Sequence, residues 1–132
     1  MENKRPISPH LQVYNIFSKE MTSGPSFLNR ATGIILTVGL IYFAAWLITA
    51  AIGQGAYNIF LAFITSWFGW LSLFGFSCAF FYHLVNGLRF LIFDLGYFLT
   101  KRSMFLTGWG MVLITALLVI ITWVYICTTY IK

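Results

Sequence analysis

The chain has 132 residues, of which 60% are hydrophobic and only 8% charged, and its mean hydropathy is +0.86. Soluble domains carry about a quarter charged residues, so this composition excludes a soluble globular enzyme and points to one membrane-embedded unit. The formal net charge of +5 comes from eight Lys and Arg against three acids; these bases flank apolar segments instead of gathering on one surface, a pattern of membrane topology and not of nucleic-acid binding.

Residues 1–27 read as an extramembrane arm. Pro6, Pro9, Gly24 and Pro25 interrupt any long helix there. His10, Leu11, Val13, Tyr14, Ile16 and Phe17 make the arm too apolar for a free tail, so it is expected on the bilayer surface or against a partner subunit. Its first residues, Met1-Glu2-Asn3-Lys4-Arg5-Pro6, match neither a secretory nor a transit peptide.

Residues 28–132 form the membrane part, an all-α unit with three transmembrane helices. The first span covers about 31–52, with Arg30 before it and Gly53-Gln54-Gly55 closing it. Such a run suits the ~20 residues needed to cross ~30 Å of hydrocarbon. The apolar run 56–93 contains one charge, Arg89, and is too long for one untilted span. Trp67 and Trp70 mark an interface, which places the second span at about 67–88 and makes 57–66 an interfacial or projecting helical extension. The third span covers about 105–126, between Lys101-Arg102 and Lys132. The arm and the second loop carry the bases while the first loop carries none, so the N-terminus is expected inside and the C-terminus outside. Cys78 and Cys127 lie in different spans, show no metal-ligand spacing, and read as buried reduced thiols.

Few polar groups interrupt the apolar sequence, and each is expensive in lipid. His83 lies roughly 8–10 Å deeper than Arg89 along a helix of standard rise. Its imidazole is either an axial ligand to haem iron or a packing histidine bonded to a hydroxyl of a neighbouring helix. Gly87, one turn on, would clear space for a flat macrocycle. The other histidine, His10, is in the arm, so a bis-histidine haem needs a ligand from another chain. Three helices also make an incomplete bundle, and a helical partner is expected on packing grounds. Ser26 and Arg30, four residues apart, share a helical face and suit a quinone carbonyl or a haem propionate; alternatively Ser26 or Ser23 caps the helix and Arg30 anchors it among lipid phosphates. Arg89 and Asp94 either serve a redox site or pair with each other near a helix end. Gly108-Trp109-Gly110 suits close helix packing.

Together these residues resemble a known family. Arg5-Pro6-x-Ser8-Pro9-His10-Leu11-x-Val13-Tyr14 is similar to the N-terminal signature of the cytochrome b subunit of succinate dehydrogenase, one of that complex's membrane anchors. Ser26-x-x-x-Arg30-x-Thr32-Gly33 resembles that family's approach to its first span, and His83-x-x-x-Gly87-x-Arg89-x-x-x-x-Asp94 its second-span motif. The resemblance implies half of a heterodimeric haem-binding bundle. His83 would be one axial ligand of a haem b iron, the other coming from a second small membrane anchor subunit. Ser26 and Arg30 would line a ubiquinone site, with Arg30 also near a haem propionate and Asp94 in the quinone region. A flavoprotein and an iron–sulfur subunit would complete the complex on the inner face, passing electrons from succinate to ubiquinone with protons taken up to form ubiquinol. This chain would be a non-catalytic anchor toward succinate. Two other readings stand beside this one, the anchor of a quinol:fumarate reductase and a haem-free structural anchor. The implied location is a bacterial inner membrane with a cytoplasmic N-terminus, or a mitochondrial inner membrane with the N-terminus in the matrix. The chain departs from the family's usual pattern where Asn29 and Phe90 replace histidines; Asn29 still hydrogen-bonds, and Phe90 does not.

Overall fold

A computed structural model describes residues 23–130 of the chain, and residues 1–22, with His10 and most of the expected arm, lie outside the described residues. Helices α1 (Ser23–Ile52), α3 (Trp67–Asp94) and α4 (Lys101–Tyr130) are each long and apolar enough to cross a membrane. A short apolar helix, α2 (Gln54–Ile64), stands between the first two. The three predicted spans fall inside these helices, which run past them. Helix α1 takes in residues 23–27, which the sequence pattern assigns to the end of the extramembrane arm. Pro25 is compatible with this start, because a first-turn N–H has no intrahelical partner to lose.

The breaks are built by particular residues. Gly53 adopts φ 131, a conformation that side chains disfavour, and its carbonyl accepts from the Tyr57 N–H at 3.1 Å to open α2. Residues 57–66 are therefore not an extension of the second span: most of them belong to a separate helix packed on α1 and α3. Ser66, in extended backbone, starts α3 by accepting the Gly69 N–H on its hydroxyl at 3.2 Å. A Cβ on Gly69 would overlap the Ile64 carbonyl, so the two helices meet here only over glycine. Helix α3 ends in a Schellman turn, with Gly96 at φ 84 and the Tyr97 N–H donating to the Ile92 carbonyl at 3.3 Å. Thr100 then caps α4 by accepting the Ser103 N–H at 3.3 Å.

Helix α3 is central, with α1 on one side and α4 on the other. Its interior inverts the soluble pattern. Among the described residues, the only side chain that is both large and fully covered is Asn86, and Arg89 is 6% exposed, while Leu, Ile and Phe side chains cover the outside. Lipid is as apolar as leucine, so helices gain little from hiding leucine and more from small residues and polar bonds between them. Small and compact contacts duly line the joints: Gly39 beneath the Phe76 ring, with Ala79, Gly108, Met111 and Val119 buried elsewhere. Trp123 Nε1 donates to Ser77 Oγ at 2.8 Å, while its ring meets Trp70 and Phe74 edge-on. Both cysteines are free; Cys78 is half-buried, whereas Cys127 is exposed, contrary to expectation, because its face of α4 meets no other helix among the described residues.

Candidate haem and quinone site

The polar chemistry gathers where the N-terminal turns of α1 cross α3. His83 Nδ1 lies 3.1 Å from the Asn29 carbonyl oxygen and 3.2 Å from Thr32 Oγ1. A carbonyl can only accept, so Nδ1 carries the proton. The Thr32 hydroxyl directs its own proton to the Leu28 and Asn29 carbonyls, at 2.8 and 3.0 Å, and so faces the imidazole as an acceptor. The Nδ1–H therefore forks between two acceptors, and the ring's lone pair resides on Nε2. That second nitrogen has no hydrogen-bond partner among the described residues. Fixing one ring nitrogen by a carbonyl is the common way to orient a metal-ligating histidine and raise its basicity. The Thr32 contact is also the one anticipated for a packing histidine, and the free Nε2 is what an iron ligand would need in addition.

His83 stands in the wall of an apolar groove of about 1030 Å³ bounded by α1, α2 and α3. Gly33 and Gly39 form its floor on α1, and Tyr42, Phe76 and Phe80 line it with aromatic surface. A Cβ added at Gly33 would lie 3.4 Å from His83 Cε1, so the imidazole rests directly against the backbone of α1. Gly87, one turn beyond His83, has open space where a Cβ would project. A free imidazole lone pair, glycine clearances and greasy walls fit a flat apolar macrocycle that His83 would hold.

Ser26 and Arg30 occupy the α1 turns beside this point; Ser26 is half-buried and Arg30 exposed. They bracket Asn29, whose carbonyl holds His83, so they lie within one turn of that contact along α1, while neither lines the groove itself. Asp94 is elsewhere: it is exposed at the last residue of α3, eleven positions and roughly 16 Å along the axis from His83. Of the two readings of Arg89 and Asp94, pairing near the helix end does not occur. Arg89 turns to α4, donating from Nε to Thr107 Oγ1 at 3.2 Å and from Nη2 to the Met104 carbonyl at 3.0 Å. Its guanidinium also lies 4.7 Å from the centre of the Phe93 ring. Six positions after His83, it projects roughly two-thirds of a turn away and straps α3 to α4.

Asn86 is a member of this neighbourhood that the sequence motifs did not single out. Its Nδ2 donates to the Pro25 carbonyl at 3.1 Å, and it is 0% exposed. A signal for it exists in the sequence, since an amide in an apolar run is costly unless bonded. Asn29 Oδ1, Tyr82 OH and Asn86 Oδ1, all in this stretch, are buried without a partner among the described residues.

Comparison with known proteins places this arrangement in context. The family model described as succinate dehydrogenase/fumarate reductase transmembrane subunit matches residues 1–122. The succinate dehydrogenase cytochrome b556 subunit of Rickettsia felis is 37% identical over 122 residues, covering 92% of this chain and 93% of its own. The b556 subunit of Paracoccus denitrificans is 40% identical over 93 residues, covering 70% of this chain and 69% of its own. The cytochrome b560 subunit of Reclinomonas americana is 33% identical over 129 residues, covering 94% and 88% respectively.

Proposed function

This chain belongs to the succinate dehydrogenase/fumarate reductase transmembrane subunit family, and on that footing we propose that it is the haem b- and ubiquinone-binding anchor of a succinate:ubiquinone oxidoreductase. The observation that carries the proposal is the tautomer of His83. Its Nδ1–H is committed to the Asn29 carbonyl and Thr32 hydroxyl, which leaves Nε2 free on the wall of a groove that suits a macrocycle.

When bound, haem b supplies one-electron redox capacity inside the membrane. The chain's residues do the rest. His83 Nε2 would hold the haem iron; the chain's other histidine, His10, belongs to the N-terminal arm, so a second histidine ligand would come from a partner anchor. Arg30 neutralises a haem propionate or the developing charge on a quinone oxygen. Ser26, on the same turn, donates its hydroxyl proton in a hydrogen bond to the quinone carbonyl. Asp94, exposed at the end of α3, is suited to relay protons toward that region.

The distribution of bases supports one sidedness. Lys4, Arg5, Lys19 and Arg30 precede or open α1, and Lys101 and Arg102 open α4, while the α1–α2 break carries none. These ends accordingly face the cytoplasm or matrix, where the flavoprotein and iron–sulfur subunits dock.

The test uses the assembled complex. A reduced-minus-oxidised optical spectrum should show a b-type band that disappears in His83→Ala, and an unchanged band in an assembled variant would defeat the ligand assignment. Ser26→Ala and Arg30→Ala should slow ubiquinone reduction while sparing succinate oxidation by a soluble artificial acceptor. Equal losses in both assays would mean failed assembly and not a damaged quinone site.

A further inference from the structure

Helices α1 and α3 run antiparallel, and two polar stitches join them at neighbouring levels. One is His83 Nδ1 to Asn29 and Thr32; the other is Asn86 Nδ2 to the Pro25 carbonyl, at 3.1 Å. The stretch of α1 between these stitches contains both Ser26 and Arg30. We propose that Asn86 is a positioning residue of the quinone site, holding the first turns of α1 in register with the haem ligand so that Ser26 and Arg30 face the quinone. The proposal rests on the quinone-site reading of those two residues and deepens it.

The geometry supports a directional role for this amide. Asn86 is fully covered, so its bond to Pro25 faces no competition from water. The amide's orientation is decided locally: turning it over would set Oδ1 against the Pro25 carbonyl, two acceptors facing each other. Oδ1 in turn has no partner among the described residues, so the bond to Pro25 is the one that holds the side chain. The acceptor is also well chosen. Pro25 lacks an N–H, its ring limits the backbone at that point, and its carbonyl is fixed relative to the Ser26 that follows. Asn86 lies three positions after His83, on a neighbouring level of the same helix, so the two bonds together fix the register of the α1 turn along α3.

Two variants of the intact complex test this. Asn86→Ala removes the donor and leaves space; Asn86→Leu removes the donor and fills the space with a side chain the membrane tolerates. In either, KM for ubiquinone should rise about five- to tenfold, the factor one buried hydrogen bond supports. The soluble-acceptor rate and the b-type band should be retained, and kcat should fall by less than KM rises. The variant that assembles decides. A KM within twofold of the parent overturns the inference, and so does loss of the haem band from both variants, which would make Asn86 a residue for assembly. Ser26→Ala and Arg30→Ala measured alongside separate the two layers. If both leave KM unchanged, the quinone reading of the turn fails and takes this inference with it. If they raise KM while the Asn86 variants do not, the positioning role alone is wrong.

Discussion

Thr32→Val asks how strongly the protein tunes its histidine. Valine nearly matches threonine in shape and leaves α1 helical, but it deletes one of two acceptors of the Nδ1 proton. Losing all such support from a ligating histidine typically weakens metal binding by about 10- to 100-fold. Here the loss is partial. The Asn29 carbonyl remains at 3.1 Å, and it is relieved of the Thr32 hydroxyl that now shares it at 3.0 Å. A hydrogen bond contributes about 0.5–1.5 kcal/mol net, so the remaining acceptor reduces the expected cost to roughly 0.5 kcal/mol. That corresponds to about a twofold loss in haem retention. The imidazole also becomes a poorer electron donor, which disfavours the ferric state, so the midpoint potential should rise. With a tenfold change equal to about 59 mV for one electron, the rise is roughly 20 mV. A redox titration of the purified complex, following the b-type band, measures it directly. A potential that is unchanged or falls would refute the hydrogen-bonded orientation of His83.

Other joints give separate expectations. Gly69→Ala places a methyl group on the Ile64 carbonyl, so the α2–α3 corner must open; detergent-solubilised complex should lose several degrees of thermal stability or fail to accumulate. Trp123→Phe removes the 2.8 Å bond to Ser77 while keeping most of the edge contacts with Trp70 and Phe74, so stability should fall by about 1 kcal/mol in a denaturation assay. A larger loss would show that the ring's fit outweighs its N–H. Arg89→Lys keeps the charge but loses the fork to Thr107 and Met104 and the contact with Phe93. Unfolding should ease by about 1–2 kcal/mol while the haem spectrum stays the same, and a shifted spectrum would mean that the α4 strap reaches His83 after all.

The spans were legible because apolar length and flanking bases report directly on bilayer crossing. Helix α3 starts at Trp67 and α1 ends at Ile52, just before Gly53, at the residues that mark these limits in the sequence. The separate helix α2 was less visible: its composition continues the apolar run, and the break depends on Ser66 capping and on Gly69 fitting against Ile64. The site was partly legible. Ser26, Arg30 and His83 stand out in the sequence by residue type and spacing, whereas Asn86, three positions after His83, does not, because its worth lies in a bond to Pro25 on another helix. Proximity in sequence pairs Arg89 with Asp94, but the partners of Arg89 are on α4.

By itself the sequence determined an all-helical membrane protein, the order of its spans, the expense of a histidine in lipid and the family to which that histidine belongs. Those properties follow from local composition, from spacing along single helices and from motif. Which nitrogen of His83 is free, what Asn86 holds and where Arg89 points were decided only by tertiary structure. The bonds responsible join residues 54 and 61 positions apart for His83 and Asn86. Helical periodicity says which side chains share a face, but the neighbouring helix that the face meets, and at what register, is set by packing between helices.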